Sequence, residues 1–460
     1  MNQTTNSAFA RTADLSREDS YSEHVNPQWV RLLSLLNMNV RYARCTGAQL
    51  FPEDGRPILD FLSGYCVHNL GHNHPAVIAA LHEELDRSGP AMLQSHVPEL
   101  AGELAGELCR RAGGRLNKVY FCSSGSEGVE TVIKFARAHT RRAGLLYCRG
   151  AFHGLTCGAL SLMADSSWAQ EFSPLLPGAE NVAFDNLPEL ERALATRKFA
   201  VFIVEPVQSE AGIRVPSETY LSSAQALCRK YGTLFALDEV QTGLYRTGHF
   251  LAAHRWRLDP DMVVLAKALS GGLIPSGAVL MSDEIYDSVY NSLGRAIIHT
   301  STYSENGLAM RAGLATLRAM DSEDAGTRAR AMGVRLHHRL SDALRDYEMV
   351  ATVRGMGLLN GIEFCAPERL ALKIPFAAFR QIHEGMFGQI LVMRLFREKR
   401  ILTQMCGNNF VVLKAAPPLI VSEAQIDEFV DAVKDVVETV HSSAAFWHDA
   451  LQLAKRALNV

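Results

Sequence analysis

The chain has 460 residues, of which 48% are hydrophobic and 21% are charged, and its formal net charge is -3. This length allows roughly two or three ordinary domains, and the composition is typical of a soluble globular protein. The small net charge gives no reason to expect nucleic acid or an anionic membrane surface as a partner.

The N-terminal segment and the cysteines predict a cytoplasmic location. The first residues are polar and lack the basic and apolar regions of a signal peptide, and no apolar stretch is long enough to span a bilayer. The nine cysteines are scattered without a CxxC pair, which favours buried, reduced thiols over disulfides or a zinc site.

Periodicity in the first two thirds of the chain indicates a mainly parallel sheet. Residues 1–25 are polar, and we expect them to be loose or bound to a partner subunit. Apolar residues at helical spacing from Trp29 to Leu36 then predict a short helix. Further on, helical segments alternate with short apolar runs at 119–122, 201–204, 234–237, 262–265 and 277–281. Such an alternation favours a parallel sheet covered by helices on both faces.

The last third predicts a smaller α+β unit. Helical periodicity covers residues 308–320 and 329–344, and strand-like pieces follow at 358–363 and 410–414. A last helix pair is predicted to start near Ser422 and to end in residues 445–458.

Functional side chains follow the predicted strands at their carboxyl ends. Residues 123–128, a Gly/Ser-rich loop, follow the first apolar run, and Glu205 follows the second. Asp238 follows the third run, and Lys267 stands two residues beyond the fourth. Because ligands of parallel sheets bind beyond these ends, we expect a Gly/Ser loop, two carboxylates and a lysine at one rim.

Each of these groups also has a structural explanation. Ser124 or Ser126 could be only an N-cap, although backbone N–H groups and hydroxyls at a helix start also form a phosphate cradle. Asp238 could pair with an arginine, and Lys267 could be a solvated surface residue. However, the apolar neighbours of Lys267 predict a desolvated lysine of lowered pKa, as a Schiff-base lysine requires.

Together these groups fit one cofactor, pyridoxal 5'-phosphate (PLP). This cofactor needs a phosphate cradle, a lysine for its aldehyde, an acid beside its ring nitrogen and an aromatic plate against its ring. Phe152 can supply the plate.

The sequence resembles the class III (ornithine and ω-amino acid) aminotransferases of PLP fold type I over roughly residues 27–440. The resemblance implies an α/β fold, in which helices sandwich a large, mainly parallel seven-stranded sheet and a smaller α+β domain is attached. It implies an N-terminal segment (1–65), a large PLP-binding domain (66–325) and a C-terminal small domain with an extra helix (326–460). The matching motifs lie at 61–65, 71–75, 124–127, 152–154, 204–212, 237–243, 267–272, 299–302 and 416–419.

The resemblance also implies a role for each matching residue. Lys267 would form the Schiff base and shuttle the proton, and Asp238 would pair with the pyridinium nitrogen. Thr302 would reach the phosphate in the neighbouring subunit, which implies a homodimer with composite active sites. The remaining cofactor-binding residues would be Ser124, Gly125 and Ser126 at the phosphate, Phe152 on the ring, Gln241 at the ring hydroxyl, and Glu205.

The expected substrates are a small-molecule amine donor and a keto or aldehyde acceptor. Tyr65 and Glu210 match family positions that recognise the distal end of the substrate. Lys414 replaces a family arginine, and Leu155 stands where many members carry another. Because both arginines recognise carboxylates in relatives, their replacement favours an ω-amine donor, or glutamate or ornithine, with an unusual partner that lacks an α-carboxylate.

Other functions remain open at this point. A decarboxylase, racemase or aminomutase would use the same lysine and aspartate, and a non-catalytic dimer could keep the fold. A serine hydrolase using Ser126, His153 and Asp238 is a further alternative, although the GxSxG elbow is missing. No metal site is predicted at the histidines of residues 68–74, nor a dinucleotide site at 355–357, since the ligand spacing and the third glycine are lacking.

Overall fold

The structure is a computed structural model that describes residues 20–442, except 94, 164–165, 371, 375 and 378–385, together with Trp447. Its strands are β1 (Tyr42–Thr46), β2 (Gln49–Pro52), β3 (Ile58–Asp60), β4 (Lys118–Cys122), β5 (Gly144–Cys148), β6 (Ala179–Val182), β7 (Phe199–Val204), β8 (Leu234–Asp238), β9 (Met262–Leu265), β10 (Gly277–Met281), β11 (Val350–Met356), β12 (Leu359–Phe364), β13 (Ile401–Leu402), β14 (Met405–Cys406) and β15 (Asn409–Ala415).

The longer helices are α1 (Pro27–Leu35), α2 (Pro75–Asp86), α3 (Glu99–Ala112), α4 (Gly125–Thr140), α5 (Leu187–Ala195), α6 (Tyr220–Tyr231), α7 (Gly307–Ser322), α8 (Ala325–Leu344), α9 (Met386–Lys399) and α10 (Glu423–Ser442). Short helical turns lie at Ser63–Cys66, Cys157–Ser161 and Asp283–Asp287. Single 3₁₀ turns lie at Gln170–Phe172, Ala252–Trp256, Lys267–Ser270 and Leu293–Arg295.

The central sheet has seven strands in the order β4-β10-β9-β8-β7-β5-β6. Neighbours from β9 to β6 run parallel, whereas β10 is antiparallel to both β4 and β9. Along β7, Val201 and Ile203 pack in one hydrophobic cluster, and Phe202 and Val204 pack in another. Burial on both faces explains why this strand is a continuous apolar run. The predicted α/β architecture with a seven-stranded, mainly parallel sheet is confirmed.

Several strands were not predicted from the sequence. They are β1, β2, β3, β5, β6, β11, β13 and β14. Within the central sheet, β5 was missed because it is a short apolar run without alternation, and β6 because it contains a polar pair. The four site-bearing strands are not all adjacent, since β10 lies between β4 and β9. Because β10 is antiparallel to both, β4 and β9 still point the same way and end at the same edge.

Two smaller sheets complete the described fold. One has the order β1-β2-β3-β13 and so joins strands from both ends of the chain, and the other has the order β11-β12-β15-β14. Gly355 and Gly357 lie in the β11–β12 hairpin rather than between a strand and a helix. The predicted α1 is present, whereas residues 1–19 and most of the predicted terminal helix 445–458 lie outside the described residues. The boundaries at 65 and 325 stay a prediction.

The cysteines are all free, and five of them are buried, although Cys157 is exposed instead of buried as predicted. Among the described residues, no helix is long and apolar enough to cross a membrane.

Arg246 fixes the two ends of the chain to the large sheet. Its side chain is fully buried. The guanidinium donates to the carbonyl oxygens of Leu358 (2.9 Å) and Pro417 (2.5 Å), to Asn69 Oδ1 (2.6 Å) and to Ser63 Oγ (3.2 Å). No carboxylate pairs with it within the part of the chain that the structure describes. Hydrogen bonds from the two terminal nitrogens therefore replace most of its hydration, and only Nε has no partner among its described contacts.

We expect Arg246→Met to lower the free energy of unfolding by roughly 2–5 kcal/mol, because at least two buried carbonyl groups lose their donor. Urea denaturation of the cofactor-free protein measures this change. Arg255→Met is the matched control, since Arg255 forms an exposed pair with Glu218, with 45% and 68% of the two side chains exposed. The control should cost less than about 1 kcal/mol. Equal effects of both substitutions would show that the hydrogen bonds of Arg246 to residues near the two ends of the chain do not stabilise the fold.

Candidate active site

A cavity of about 440 Å³ opens at the carboxyl edge of the central sheet. Loops after β4, β5, β7, β8 and β9 all contribute to its walls. The structure thus brings together most of the residues that the sequence predicts for the cofactor. Those that line the cavity are Ser124, Gly125, Ser126, Phe152, Glu205, Asp238, Gln241 and Lys267.

Lys267 begins the 3₁₀ turn that follows β9, and its backbone is left-handed with φ 48°. Such a conformation is strained for a residue other than glycine and is found mainly where the surrounding structure fixes it. Burial lowers the pKa of the Lys267 ammonium below its ordinary value. A larger fraction of neutral amine is therefore present at neutral pH than for a solvated lysine.

The N-terminus of α4 forms an anion-binding end of the cavity. Ser124 is the N-cap, because its Oγ accepts the Glu127 N–H at 3.2 Å. A Cβ at Gly125 would lie 2.9 Å from Val240 Cγ2, and one at Gly154 would lie 2.2 Å from Ser126 Oγ. Glycine is favoured at both positions because the Val240 side chain and the Ser126 hydroxyl approach so closely. The N–H groups and the positive helix end at Gly125 and Ser126 suit a phosphate.

Asp238 ends β8 and faces the cavity with both oxygens held. The Val240 N–H donates to Oδ1 at 3.1 Å, and His153 Nδ1 lies 2.8 Å from Oδ2. The His153 side chain is completely buried. In the sequence, His153 stands in the family-matching motif at 152–154 and in the hydrolase alternative, but no role beside Asp238 was predicted for it. The motif at 152–154 was the available signal.

Glu205 holds the loop that presents Phe152. Its Oε1 accepts the Phe152 N–H at 3.1 Å, and its Oε2 accepts the Ser209 N–H at 3.2 Å. Burial raises the pKa of the Glu205 carboxyl to about 7, although the nearby His153 acts in the opposite direction. The described contacts therefore place Glu205 behind the cofactor-facing loop.

Three residues that line the cavity carry an unpaired polar atom, which tests whether PLP fits there. Gln241 Oε1, Ser276 Oγ and His153 Nε2 are buried and have no hydrogen-bond partner among the described residues. Buried polar atoms are rarely left unpaired, which indicates that a polar ligand meets them. With the anion-binding helix end, Asp238 and Lys267, they suit the polar groups of PLP. Ser276 was not predicted from the sequence.

A buried ion pair lies behind the lining residue Gln241, and its members, Glu210 and Lys414, do not line the cavity themselves, nor does Tyr65. Lys414 Nζ donates to Glu210 Oε1, which also accepts Gln241 Nε2 at 3.0 Å, and the Tyr65 ring lies 5.0 Å from the Lys414 ammonium. Burial raises the pKa of Glu210, but the charge and hydrogen bond of Lys414 outweigh it and lower the pKa to about 2. For Lys414, burial lowers the pKa, but Glu210 reverses the direction. Both side chains are therefore charged at neutral pH.

Two other positions named from the sequence, Thr302 and Leu155, also lie outside the cavity wall. Thr302 is exposed, on the loop before α7. Leu155 follows the Phe152 loop, and 52% of its surface is exposed.

The local geometry argues against the alternative sites. His153 Nε2 has no hydrogen-bond partner among the described residues, so it does not activate Ser126 as a hydrolase triad would require. Of the three histidines at 68–74, His72 pairs with Asp60 at 2.8 Å and its ring packs against His68, with centroids 3.9 Å apart.

Solved structures with this fold are PLP-dependent transaminases. Ornithine aminotransferase from Toxoplasma gondii, whose structure has partial occupancy of PLP, gives a TM-score of 0.77 at 28% identity, covering 87% of this chain and 91% of that one. An amine transaminase from an uncultivated Pseudomonas species, in a PLP-bound form, gives a TM-score of 0.76 at 28% identity, covering 87% and 95%. The class of protein is therefore a PLP-dependent aminotransferase.

The family is shown by sequence. Residues 34–437 match the family model for aminotransferase class-III. The chain is 34% identical to aminotransferase PigE from Serratia sp., over 92% of this chain and 54% of that protein. It is 32% identical to putrescine aminotransferase from Pectobacterium atrosepticum, over 92% of this chain and 88% of that protein. This chain thus spans about half the length of PigE. It belongs to the class III aminotransferases, which confirms the predicted family and PLP dependence.

We expect Glu210→Gln to lower the free energy of unfolding by roughly 3–5 kcal/mol, because it leaves the Lys414 charge buried without a partner. The pKa of Glu210 is depressed in the folded state, so its contribution is present above about pH 4.5 and is lost as the pH falls towards about 2. The difference between wild type and variant should shrink over that range. Urea denaturation of the cofactor-free protein at several pH values measures it.

The double variant Glu210→Gln/Lys414→Met should recover part of this loss, because no buried charge then remains unpaired. Glu191→Gln serves as the control, since Glu191 pairs with Lys230 on the surface. A Glu210→Gln protein as stable as the control would contradict the assignment of a buried ion pair.

Proposed function

We propose that this class III aminotransferase transfers an amino group from an ω-amine donor to a keto or aldehyde acceptor, with Lys267 as the catalytic residue. The observation that carries the proposal is the lysine of lowered pKa in a cavity with a helix N-terminus and a buried carboxylate. When bound, PLP supplies an aldehyde that attaches covalently to amines and a ring that withdraws electrons from the donor carbon.

Each residue around the bound cofactor would have a separate role. Gly125, Ser126 and Ser124 would hold the phosphate, and Phe152 would lie against the ring. Asp238, kept in place by His153, would hold the proton of the ring nitrogen. Lys267 Nζ would hold the cofactor through its aldehyde and, as a neutral amine, would take the proton from the donor carbon and return it to the product.

Three observations support a donor without a carboxylate beside the reacting carbon. Lys414 is held by Glu210, so it is not a free cation for a substrate carboxylate. Leu155, just after the cavity-lining segment Phe152–Gly154, is exposed and carries no charge. The carboxylate of Glu210 is fixed as well, because Lys414, the Gln241 amide and the Gly407 N–H donate to its two oxygens. The ion pair is therefore held in place, and Lys414 is not released to a substrate carboxylate. The name of the relative from Pectobacterium, putrescine aminotransferase, is consistent with a diamine donor.

We also propose a homodimer with composite sites. Thr302 is exposed and does not line its own cavity, although its motif is a phosphate-binding one in the family. The surrounding loop and the segment before α3 expose large apolar side chains, which a second subunit would cover. These are Val97 (83% exposed), Leu293 (97%), Ile297 (81%) and Tyr303 (64%).

Lys267→Ala should lower turnover by about 10²–10⁴-fold, because the proton-transfer base is lost. Borohydride reduction of the wild-type protein, followed by digestion, should place a pyridoxyl mass on the peptide that contains Lys267. Lys267→Arg is the control, since it keeps a charge but cannot act as a base at neutral pH. When the loaded wild-type protein is mixed with ornithine, putrescine, glutamate or alanine and no acceptor is added, the true donor should yield one molecule of carbonyl product for each active site. A pyridoxyl mass elsewhere, or none, would refute the assignment.

Mixed dimers test the composite site. One subunit carries Lys267→Ala and the other Thr302→Ala, so one of the two sites combines an intact Lys267 with an intact Thr302 of the partner subunit. We expect this mixture to regain up to half of the wild-type activity at low PLP concentration, above the sum of the two homodimers. Sedimentation of the wild-type chain should give twice the mass of one chain. A monomeric wild-type chain would exclude the composite site. So would a mixture whose activity is only the average of the activities of the two homodimers.

A further inference from the structure

The turn between β14 and β15 consists of Gly407 and Asn408, since Cys406 pairs directly with Asn409. This turn lies against Glu210. The Gly407 N–H donates to Glu210 Oε2 at 2.8 Å, and the Asn408 N–H donates to the Glu210 carbonyl oxygen at 2.9 Å. Both the side chain and the backbone of Glu210 are therefore held by two adjacent backbone amides.

The side chain of Asn408 reaches across to the loop that carries Phe152. Its Nδ2 donates to the carbonyl oxygens of Gly150 (3.0 Å) and Ala151 (3.1 Å). Its Oδ1 accepts the indole N–H of Trp168 at 2.8 Å. The side-chain NH₂ of Asn408 thus binds the two residues immediately before Phe152, and its side-chain oxygen binds Trp168, which lies further along the chain.

Trp168 connects this amide to Phe152. The two rings meet edge to face, with centroids 6.0 Å apart and planes at 84°, a favourable arrangement of aromatic rings. Phe152 is otherwise held through its N–H by Glu205. The loop is thus fixed from behind by Glu205 and from the front by Asn408 and Trp168.

Turn formation alone does not explain an asparagine at this position. Asparagine is common in turns largely because it tolerates a left-handed backbone. Neither Asn408 nor Gly407 has a positive φ, so the backbone accepts other residues at 408. Gly407 is constrained for a different reason, because a Cβ there would lie 3.1 Å from Glu210 Oε2.

We propose that Asn408 is a positioning residue that locks the Phe152 loop against the Glu210 side of the site, with Trp168 as its second attachment. The proposal rests on the proposed function only in taking Phe152 to stack on PLP. Asn408 is not among the residues that line the cavity. It acts through the loop, and it couples the end of the site that meets the substrate to the end that meets the cofactor ring.

The test compares Asn408→Ala with wild type by hydrogen exchange of the cofactor-free protein and by the rate of PLP loss from the loaded protein. We expect exchange at the amides of Phe152 and His153 to be several-fold faster, and PLP loss to be about tenfold faster, because two or three hydrogen bonds are removed. Exchange within the central sheet should not change. Asn408→Asp keeps the acceptor for Trp168 but loses both donors, so it should behave like Asn408→Ala.

Trp168→Phe and Asn409→Ala complete the design. Trp168→Phe keeps a ring on Phe152 and loses one hydrogen bond, so its effect should be smaller. Added to Asn408→Ala it should have little further effect, because both remove the same bond. Asn409, on the same hairpin, contacts Ala211 at 3.4 Å and not the Phe152 loop, so Asn409→Ala should match wild type.

Unchanged exchange at 150–154 in Asn408→Ala, or an equal effect of Asn409→Ala, would overturn the proposal. Exchange is measured without cofactor and without an amine donor. Its result therefore stands apart from the Lys267 experiment, in which the proposed function itself can fail.

Discussion

The charge state of the active site depends on one constraint, that an ammonium group removed from water keeps its proton only where a counter-charge replaces its hydration. Lys414 meets this condition, because Glu210 lies against it and raises its pKa despite burial. Lys267 does not, since no carboxylate pairs with it in the described part of the chain, and its pKa falls. The same residue type is a fixed charge at one position and an amine able to lose its proton at the other.

The same edge of the sheet also concentrates backbone strain. Lys267 has φ 48°, and Ser63, Tyr65 and Cys66 have φ between 45° and 70°. Each such residue costs of order 1–3 kcal/mol and persists only where its surroundings fix it. Around Ser63 that support is visible, because Asp60 Oδ1 accepts the Ser63 N–H at 2.8 Å. The hydroxyl of Ser63 also donates to the Ala416 carbonyl oxygen at 2.7 Å. The strained turn therefore presents Tyr65 to Lys414 from a rigid base.

The sequence predicts the parts of this fold that depend on local pattern. Strands buried on both faces, such as β7 and β9, are continuous apolar runs, and the residues beyond their ends could be named in advance. The short β5 was missed, although it leads into the loop of Phe152. The order of strand ends predicts that these loops share one edge, but not which side chains pair there, because periodicity carries no information on contacts between individual residues. His153 and Asp238 are 85 residues apart, and Glu210 and Lys414 are 204 apart.

Gln241 shows how the two ends of the site depend on each other. An ionised carboxylate only accepts hydrogen bonds, so Glu210 requires the NH₂ of the Gln241 amide, and Oε1 is left facing the cavity as an acceptor. A protonated Glu210 could donate instead and would allow the amide to turn over. Lys414 keeps Glu210 ionised, so it fixes the atom that a ring hydroxyl would meet. For this purpose any buried cation suffices, whereas binding a substrate carboxylate bidentately needs the planar fork of arginine. A lysine at 414 therefore preserves the hydrogen bonds at the Gln241 end of the site, while it lacks the planar fork that would bind a substrate carboxylate bidentately.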